Sequence, residues 1–225
     1  MKAAVIVPTF NEVDNLKQIV EQILSVYDME IVIVDDASPD GTGELADELA
    51  KSYNIRVVHR SGKLGLSSAI LEGFKATDAD IVGVIDADLQ HPPEMIPKLV
   101  EPIKSSDADI VIASRKVKGG GMQGWPAWRK LVSWGAGILA RPLTPVKDPM
   151  SGFFFLKSTI ISDCTLDTIG FKMGLEILIK SDYDKVLEVP YIFQTRKRGE
   201  SKLTGGEFIN YINHLLRLYR YRLGL

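Results

Sequence analysis

Short apolar runs alternate with segments of helical hydrophobic spacing through the first half of the chain. The runs are rich in Val and Ile with few polar interruptions, as is typical of strands buried on both faces. They predict strands at residues 3–7, 30–34, 56–59, 81–85 and 109–113. The spacing between them predicts helices at residues 16–24, 42–51, 66–75 and 93–104. This alternation predicts an α/β fold with a mostly parallel central sheet flanked by helices and joined by right-handed crossovers.

The pattern changes after Ser114. Three consecutive glycines at residues 119–121 predict a flexible loop. Residues 125–139 are aromatic and apolar but include Arg129 and Lys130. Further strands are predicted at residues 151–156 and 186–193, and helices at 171–180 and 208–223. Because there is no repeat, low-complexity segment or clear linker, we expect a single domain over residues 1–225.

Two carboxylates follow the fourth predicted strand, at the point where its apolar run ends. Asp86 and Asp88 are one residue apart, so on an extended chain both side chains can lean the same way. Open α/β sheets bind ligands at the carboxyl ends of their strands, and hard divalent cations such as Mg²⁺ and Mn²⁺ prefer oxygen ligands. Gln90 offers a further carbonyl oxygen. The pattern indicates a cation site; the alternative is two solvated residues at an ordinary turn.

Other carboxylates follow the first two strands, so three strands place acids at one edge of the sheet. Pro8 is expected to end the first strand's pairing, because proline lacks an N–H. After it, Phe10 could stack on a base and Glu12 could accept a hydrogen bond, or the segment could simply begin a helix. Asp36 could bind a base or ribose, whereas Asp35 could brace a turn. Such clustering of acids is costly without a cation or polar ligand.

Basic and glycine-rich segments form the second group of candidates. Residues 62–68 could contact phosphate, but the interpretation as a helix start is favoured because the Walker A spacing is absent. Arg115 follows the fifth strand, and guanidinium groups match phosphate geometry. Arg196 and Lys202 flank Gly199 in a basic segment that could close over a diphosphate or be a solvated loop.

Composition narrows the class of protein. The formal net charge of −2 gives no basic footprint, so nucleic acid is not expected as a partner. Cys164 is the single cysteine, which excludes an internal disulfide and a cysteine-rich zinc site. The chain shows no signal-peptide pattern and no apolar run long enough to span a membrane. We therefore expect a soluble or peripheral protein in a reducing compartment.

Six segments together resemble a known family. PTFNE, IVDDASPDGT, DADLQHPPE, DPMSGFFFLK, GFKMGLEIL and RGESKL occur in this order over nearly the whole chain. The ordered set resembles the dolichyl-phosphate mannose synthases and related polyprenyl-phosphate sugar transferases, which are inverting glycosyltransferases. The resemblance implies an A-type glycosyltransferase fold. It also implies a nucleotide-sugar-binding half at residues 1–115 and an acceptor-side half with interfacial helices at residues 116–225.

The resemblance also implies residue roles. The nucleoside pocket would be lined by Pro8, Phe10, Glu12, Val34 and Asp36. Position 10 is usually Tyr in this family, so Phe10 keeps the ring but loses the hydroxyl. The donor and metal site would comprise Asp86, Ala87, Asp88 and Gln90, with Asp88 and Gln90 as direct metal ligands and Asp86 supporting them. Phosphate contacts would come from Arg115, Arg196 and Lys202, and the catalytic set would be Asp86, Asp88 and Arg115.

The implied reaction is transfer of mannose from GDP-mannose to a polyprenyl (dolichyl) phosphate with inversion, assisted by Mg²⁺ or Mn²⁺. The acceptor phosphate has a second pKa of about 6 and is already largely ionised at neutral pH, so it needs little help from a base. His91 could be a base, but the prolines after it favour a turn residue. Glucose or another sugar in place of mannose, a nucleotidyltransferase, and a non-catalytic nucleotide-binding subunit are the alternatives.

The implied acceptor is a lipid, which bears on location. Residues 125–138 and 208–222 mix aromatic, apolar and basic side chains, so they could lie at a lipid interface or pack on the sheet. We expect a peripheral protein on the cytoplasmic face of a membrane. A membrane-anchoring partner protein is a further expectation from the family.

Overall fold

The computed structural model describes residues 1–162, 164–166, 172–195 and 205–224. A seven-stranded sheet forms its centre, in the order β3-β2-β1-β4-β7-β5-β8, and β6 pairs with β9 in a small second sheet. The strands are β1 (Ala3–Thr9), β2 (Glu30–Asp35), β3 (Ile55–His59), β4 (Ile81–Val84), β5 (Ile110–Ser114), β6 (Gly121–Met122), β7 (Phe154–Lys157), β8 (Val186–Pro190) and β9 (Ile192–Phe193).

Helices cover both faces of the large sheet. They are α1 (Val13–Val26), α2 (Thr42–Ala50), α3 (Leu66–Lys75), α4 (Ile96–Lys104, preceded by a 3₁₀ turn at Pro93–Met95), α5 (Ala127–Ala140), α6 (Thr159–Ser162), α7 (Met173–Lys180) and α8 (Gly205–Arg222). Successive residues of β1 alternate between the two faces, since Val5 and Val7 pack with α1, α2 and α4 whereas Ala4 and Ile6 pack with α3 and α7. A third cluster joins α5 and α8 to the outer side of α7.

The predicted α/β architecture is confirmed, and so are the five strands and four helices of the first half within a few residues. β1, β2, β3 and β4 pair in parallel, as the strand and helix alternation requires. The interpretation of Pro8 was wrong, because β1 continues through Pro8 and Thr9 with partners in β2. Alternate residues of a strand direct their backbone groups to the same neighbouring strand, so Pro8 faces the same side as Ile6. The Ile6 carbonyl accepts the N–H of Ile85, the residue just after β4 ends. The missing N–H of Pro8 therefore faces the side where β4 has already ended.

The second half differs from the sequence prediction in strand direction and length. β7 lies between β4 and β5 and is antiparallel to both, which the pattern did not indicate. Residues 186–193 form two strands rather than one, because the chain leaves β5 at Tyr191 and pairs with β6. The glycine segment at residues 119–121 is not entirely loop, since Gly121 begins β6. Each of these differences depends on a partner far away in sequence.

The aromatic ring of Phe155 fixes how β7 fits against β4. Gly83 faces Phe155 across the strands, and a Cβ atom at position 83 would lie 2.3 Å from the ring. Both residues are in the fully paired centre of the sheet, so neither backbone can move aside easily. The close approach therefore requires glycine at position 83.

We expect Gly83→Ala to lower the free energy of unfolding by about 1–3 kcal/mol, because the added methyl overpacks a rigid core. Gly135→Ala is the matched control, since position 135 lies in α5 with nothing within 4 Å of the added atom. That change should be neutral or stabilising by about 0.5–1 kcal/mol, as for Gly→Ala within a helix. Urea denaturation followed by circular dichroism measures both. Equal stability of Gly83→Ala and wild type would contradict the packing argument.

Candidate active site

The carboxyl ends of β1, β2, β4 and β5 bring the predicted site residues to one edge of the sheet. Three of the loops that leave this edge contain a non-glycine residue with positive φ: Asn11 (57°), Ala37 (56°) and Leu89 (61°). This left-handed conformation is unfavourable for alanine and leucine side chains. The surrounding contacts must hold these loops in place, and backbone strain of this kind is concentrated at functional sites.

Asp35 braces the loops that follow β1 and β2. Its carboxylate accepts hydrogen bonds from the Ser38 backbone N–H (2.9 Å) and the Thr9 hydroxyl (2.9 Å). The Ser38 hydroxyl in turn accepts the N–H of Asn11 (3.0 Å). These contacts agree with the sequence interpretation, in which Asp35 could brace a turn.

Glu12 is buried and tied to both neighbouring helices. Its N–H donates to the Thr42 hydroxyl (3.0 Å), and its carboxylate accepts from the Asn15 side chain (2.8 Å). Asp40 accepts the N–H groups of Val13 and Thr42. Burial alone would raise the pKa of Asp40, but a hydrogen bond from the Thr42 hydroxyl, together with these N–H groups, outweighs it and lowers the pKa. The first two loops thus form one connected unit.

Asp36 forms a buried ion pair with Arg60, a residue that sequence reasoning missed. The Arg60 guanidinium bonds Asp36 and the Ser68 hydroxyl (2.6 Å), and the N–H of Gly65 donates to Asp36 (3.1 Å). Residues 62–68 therefore begin α3 and support Asp36, which agrees with the favoured interpretation as a helix start. The available signal was an arginine placed directly after β3, at the same edge of the sheet.

The loop after β4 carries Asp86, Asp88 and Gln90. Asp88 is buried and accepts the N–H of Gln90 (3.0 Å), whereas the Asp86 side chain is 39% exposed. The side-chain amide nitrogen of Gln90 donates to the backbone carbonyl of Gln194 (3.0 Å), and the backbone N–H of Gln194 donates to the backbone carbonyl of Gln90 (2.9 Å). The first of these bonds fixes the Gln90 side chain by its nitrogen, so the side-chain oxygen is the atom suited to a cation.

His91 is not the simple turn residue that the sequence indicated. Its ring is 2% exposed and lies among Phe153, Tyr191 and Phe193, at centroid distances of 5.1–5.7 Å. Nε2 lies 3.1 Å from a carboxylate oxygen of Asp86, and Nδ1 lies 3.1 Å from the Tyr191 hydroxyl. The two prolines that follow do form a turn, but the histidine side chain is directed into the protein.

Arg115 is buried and forms a two-point ion pair with Asp148. Its Nε and one Nη lie 2.7 and 2.8 Å from the two carboxylate oxygens, and its backbone N–H bonds the same carboxylate (2.9 Å). Burial acts to raise the pKa of Asp148, but the hydrogen bonds and charge of Arg115 outweigh it and lower the pKa. The sequence indicated Arg115 but gave no partner for it.

The remaining predicted residues have varied positions. Pro8 is half-buried in β1, and Phe10 lies below the Lys63 ammonium, 4.1 Å from Nζ to the ring centre. Val34 and Ala87 are buried in the core, so a ligand would have to reach their backbone. Arg196 and Lys202 lie outside the described residues. The ligand roles implied for all of these residues stay predictions.

A divalent cation fits the residues after β4 only if a substrate supplies further ligands. No group of three or more His, Cys, Asp or Glu suited to a metal occurs in the part of the chain that the structure describes. Asp86, Asp88 and Gln90 nevertheless offer hard oxygen atoms in a single loop. Mg²⁺ commonly binds to one or two carboxylates and completes its shell with water and substrate phosphates. The donor set suits a cation of this kind and not a closed protein cage.

Comparison with solved structures defines the fold. Over the whole chain, the structure matches glucosyl-3-phosphoglycerate synthase from Mycobacterium tuberculosis, solved with Mn²⁺, UDP and phosphoglyceric acid (TM-score 0.69, 20% identity, 79% of that chain). It likewise matches a mannosyltransferase from Pyrobaculum calidifontis, solved with GDP-Man and Mn²⁺ (TM-score 0.68, 17% identity, 64% of that chain). The architecture is the A-type fold of nucleotide-sugar transferases.

Sequence comparison defines the family. Residues 4–165 match the model of glycosyl transferase family 2, and the chain belongs to this family. It is 49% identical to the dolichol-phosphate mannosyltransferase of Pyrococcus furiosus, over 98% of this chain and 64% of that protein. It is 38% identical to the dolichol-phosphate mannosyltransferase of Saccharomyces cerevisiae, over 98% of this chain and 88% of that protein. The chain thus spans somewhat less than two thirds of the Pyrococcus relative.

We expect Asp148→Asn to lower the free energy of unfolding by about 3 kcal/mol or more near neutral pH, because it leaves the buried Arg115 charge without its counterion. The Asp148 pKa is lowered in the folded state, so its contribution is complete above the unfolded pKa and is lost as pH falls through the folded value. The difference from wild type should therefore be constant above about pH 5 and shrink as the pH falls from about 5 towards about 2.

Urea titrations over that range measure this difference in stability. Asp47→Asn is the control, because Asp47 is exposed and its partner His59 lies at the surface. It should change stability by less than about 1 kcal/mol. A difference between Asp148→Asn and wild type that stays constant with pH would contradict the assigned ion pair.

Proposed function

We propose that this chain transfers mannose from GDP-mannose to a polyprenyl (dolichyl) phosphate, with inversion and with a bound Mg²⁺ or Mn²⁺. The observation that carries the proposal is the Asp86, Asp88 and Gln90 loop at the carboxyl end of β4, beside the nucleoside-side loops of β1 and β2. Relatives of 49% and 38% identity named dolichol-phosphate mannosyltransferase support the choice of sugar and acceptor.

Donor binding would use the loops at the sheet edge. Phe10, Glu12 and Asp36 would contact the nucleoside, while Asp88 and Gln90, supported by Asp86, would hold the cation. When bound, that cation would neutralise charge on the departing diphosphate. Arg115 already shares two N–H groups with Asp148, so only its other donors could bind phosphate. Arg196 and Lys202 are proposed to supply the remaining positive charge.

The acceptor needs orientation more than it needs a base. With a second pKa of about 6, a phosphate monoester is largely a dianion at neutral pH and can attack the anomeric carbon directly. Single displacement inverts that carbon. His91 is buried and hydrogen-bonded through both nitrogens, which argues against its use as a base. Correct positioning of the two substrates would then account for much of the catalysis.

Helix α5 offers a surface for the lipid side of the reaction. Its outer face is apolar and exposed, through Trp128, Leu131, Val132, Trp134, Ile138 and Leu139. An adjoining cavity of about 380 Å³ is lined by Lys116, Lys130, Arg141 and Lys147 with Met122 and Trp134. Apolar and basic side chains side by side suit an anionic membrane surface. We propose that α5 lies on the cytoplasmic face of a membrane.

Helix α8 differs from α5 because several of its apolar side chains are buried. Tyr211, Leu215 and Leu218 are buried in the cluster with α7, whereas Leu216 is exposed. Packing on the core, one of the two alternatives left open by the sequence, therefore explains most of its apolar residues. Among the described helices, none has the length and apolar character of a membrane span. A membrane-anchoring partner protein is retained as a proposal.

Purified protein incubated with labelled GDP-mannose, Mg²⁺ or Mn²⁺ and a polyprenyl phosphate should form lipid-linked mannose. Asp88→Ala should lower kcat at least about a hundredfold, because charge on the leaving diphosphate would lose its cation. Asp28→Ala is the control, since Asp28 is exposed before β2 at the opposite edge of the sheet.

A panel of nucleotide sugars tests the alternatives in the same assay. Lipid-linked product with another sugar would replace mannose in the proposal. Release of pyrophosphate would favour a nucleotidyltransferase, and tight GDP binding without any transfer would favour a non-catalytic subunit. Full activity of Asp88→Ala would remove that residue from the site.

The chain should float with vesicles that contain phosphatidylserine and less well with pure phosphatidylcholine. The paired change Lys130→Glu and Lys147→Glu should weaken binding at least about tenfold, since each basic group near such a surface contributes about 1 kcal/mol. Lys51→Glu with Lys98→Glu is the matched control, because both residues are exposed and lie away from α5. Equal flotation of the two double variants would rule out the α5 surface.

A further inference from the structure

Three side chains in contact connect the exposed end of the site to the core behind it. The Asp86 carboxylate contacts His91, and His91 contacts Tyr191, each at 3.1 Å. His91 and Tyr191 are 2% and 3% exposed, respectively. The chain Asp86–His91–Tyr191 therefore runs from a half-exposed carboxylate to a hydroxyl inside the protein.

The direction of the first hydrogen bond follows from the chemistry of the two groups. An ionised carboxylate can only accept hydrogen bonds, so Nε2 of His91 must carry the proton that it shares with Asp86. In the neutral ring, Nδ1 then has a lone pair and can only accept. The hydroxyl of Tyr191 lies where it can donate to that lone pair. The carboxylate thus selects the tautomer, and the Tyr191 hydroxyl can satisfy the Nδ1 lone pair that this tautomer exposes.

The hydroxyl of Tyr191 stays protonated, and the backbone of Tyr191 is held by hydrogen bonds. Burial raises the pKa of its hydroxyl, so the group stays protonated at neutral pH. Its backbone is fixed on both sides, because its N–H donates to the Ser114 carbonyl (3.1 Å) and its carbonyl accepts the N–H of Gly121 (3.0 Å). The phenol therefore has little freedom to turn away from His91.

Aromatic packing fixes the orientation of the imidazole. Phe153 and Phe193 lie 5.2 and 5.1 Å from its centre, and the Phe193 ring is nearly perpendicular to it. Gly152 lies beside the contact between His91 and Asp86. A Cβ atom added at this position would be 3.5 Å from the Asp86 carboxylate and 3.8 Å from Nε2 of His91. His91 is held rigidly, so the hydrogen bond it gives to Asp86 has a fixed direction.

We propose that His91 is a positioning residue that fixes the Asp86 carboxylate through Nε2–H, and that the Tyr191 hydroxyl stabilises the tautomer which makes this possible by donating to Nδ1. The importance for catalysis rests on the role proposed above for Asp86. Partners that orient metal-binding or donor-binding groups commonly change metal affinity or activity by about 10–100-fold when they are removed. His91 would act entirely through Asp86, without touching substrate.

Nitrogen-15 NMR of protein labelled at histidine tests the tautomer without any assay of activity. The chain has three histidines, and His91→Gln assigns the signal of interest by its loss. We expect the neutral His91 ring to carry its proton on Nε2, and we expect Tyr191→Phe to change that signal while leaving His59 unaffected. A proton on Nδ1 of the neutral ring in wild type would overturn the proposal, whether or not the protein transfers mannose.

Kinetics and cation binding test the positioning role. His91→Phe keeps an aromatic ring but removes the donor, and should lower kcat or Mn²⁺ affinity in the presence of GDP about 10–100-fold. His91→Gln retains an N–H near the position of Nε2 and should recover part of this loss. Mn²⁺ affinity is measured by electron paramagnetic resonance and stability by thermal unfolding. Wild-type kcat and Mn²⁺ affinity in His91→Phe would overturn the proposal.

A double-mutant cycle separates positioning from a purely structural role. Tyr191→Phe should lower kcat or Mn²⁺ affinity in wild type but have almost no further effect in His91→Phe, since the hydroxyl acts through the imidazole. Additive effects on kcat and affinity would contradict the linkage. His59→Gln is the control, because His59 also pairs with an aspartate but is exposed. Absence of transfer by wild type would reject the proposed function and leave the tautomer result standing.

Discussion

Repulsion between clustered carboxylates is the constraint on which the site depends. The parallel strands bring Asp35, Asp36, Asp86 and Asp88 to one edge of the sheet, and like charges in a partly buried setting oppose folding. The negative charge of Asp35 is offset by hydroxyl and backbone donors, and that of Asp36 by the buried guanidinium of Arg60. Asp86 lies within hydrogen-bond distance of an imidazole, and Asp88 accepts a backbone N–H. The cation proposed for the loop after β4 would relieve part of the repulsion between these carboxylates.

Two buried arginine pairs hold the loops on either side of the loop that follows β4. Arg60 joins the end of β3 to Asp36 and α3, while Arg115 joins the end of β5 to Asp148. A buried ion pair adds little net stability compared with apolar packing, but it is costly to break once formed. Such pairs favour one arrangement of the loops over others. The three loops with positive φ residues can then remain in a conformation that an isolated chain would avoid.

Sequence reasoning predicted which residues would gather at one edge of the sheet but not the contacts that hold them there. The strand ends and their carboxylates are local features, so apolar runs and acid spacing were sufficient to indicate Asp86, Asp88 and Asp36. Arg60, Asp148 and Tyr191 were missed as partners because they are 24, 33 and 100 residues from the groups they bind. No local pattern encodes such pairings. The insertion of β7 escaped prediction for the same reason, since a lone strand carries no signal of its direction.

The antiparallel β7 explains why the two halves of the chain work as one unit. By lying between β4 and β5, it brings the segment before it, with Asp148 and Gly152, against residues of the first half. The turn from β8 into β9 then adds Tyr191 and Gln194 behind the β4 loop. Arg115 thus has its ion-pair partner in the second half, and the second half supports the β4 loop through Gln90 and His91. Because the loops after β4 and β5 depend on these contacts, the first half alone would lack the support that orients its own carboxylates.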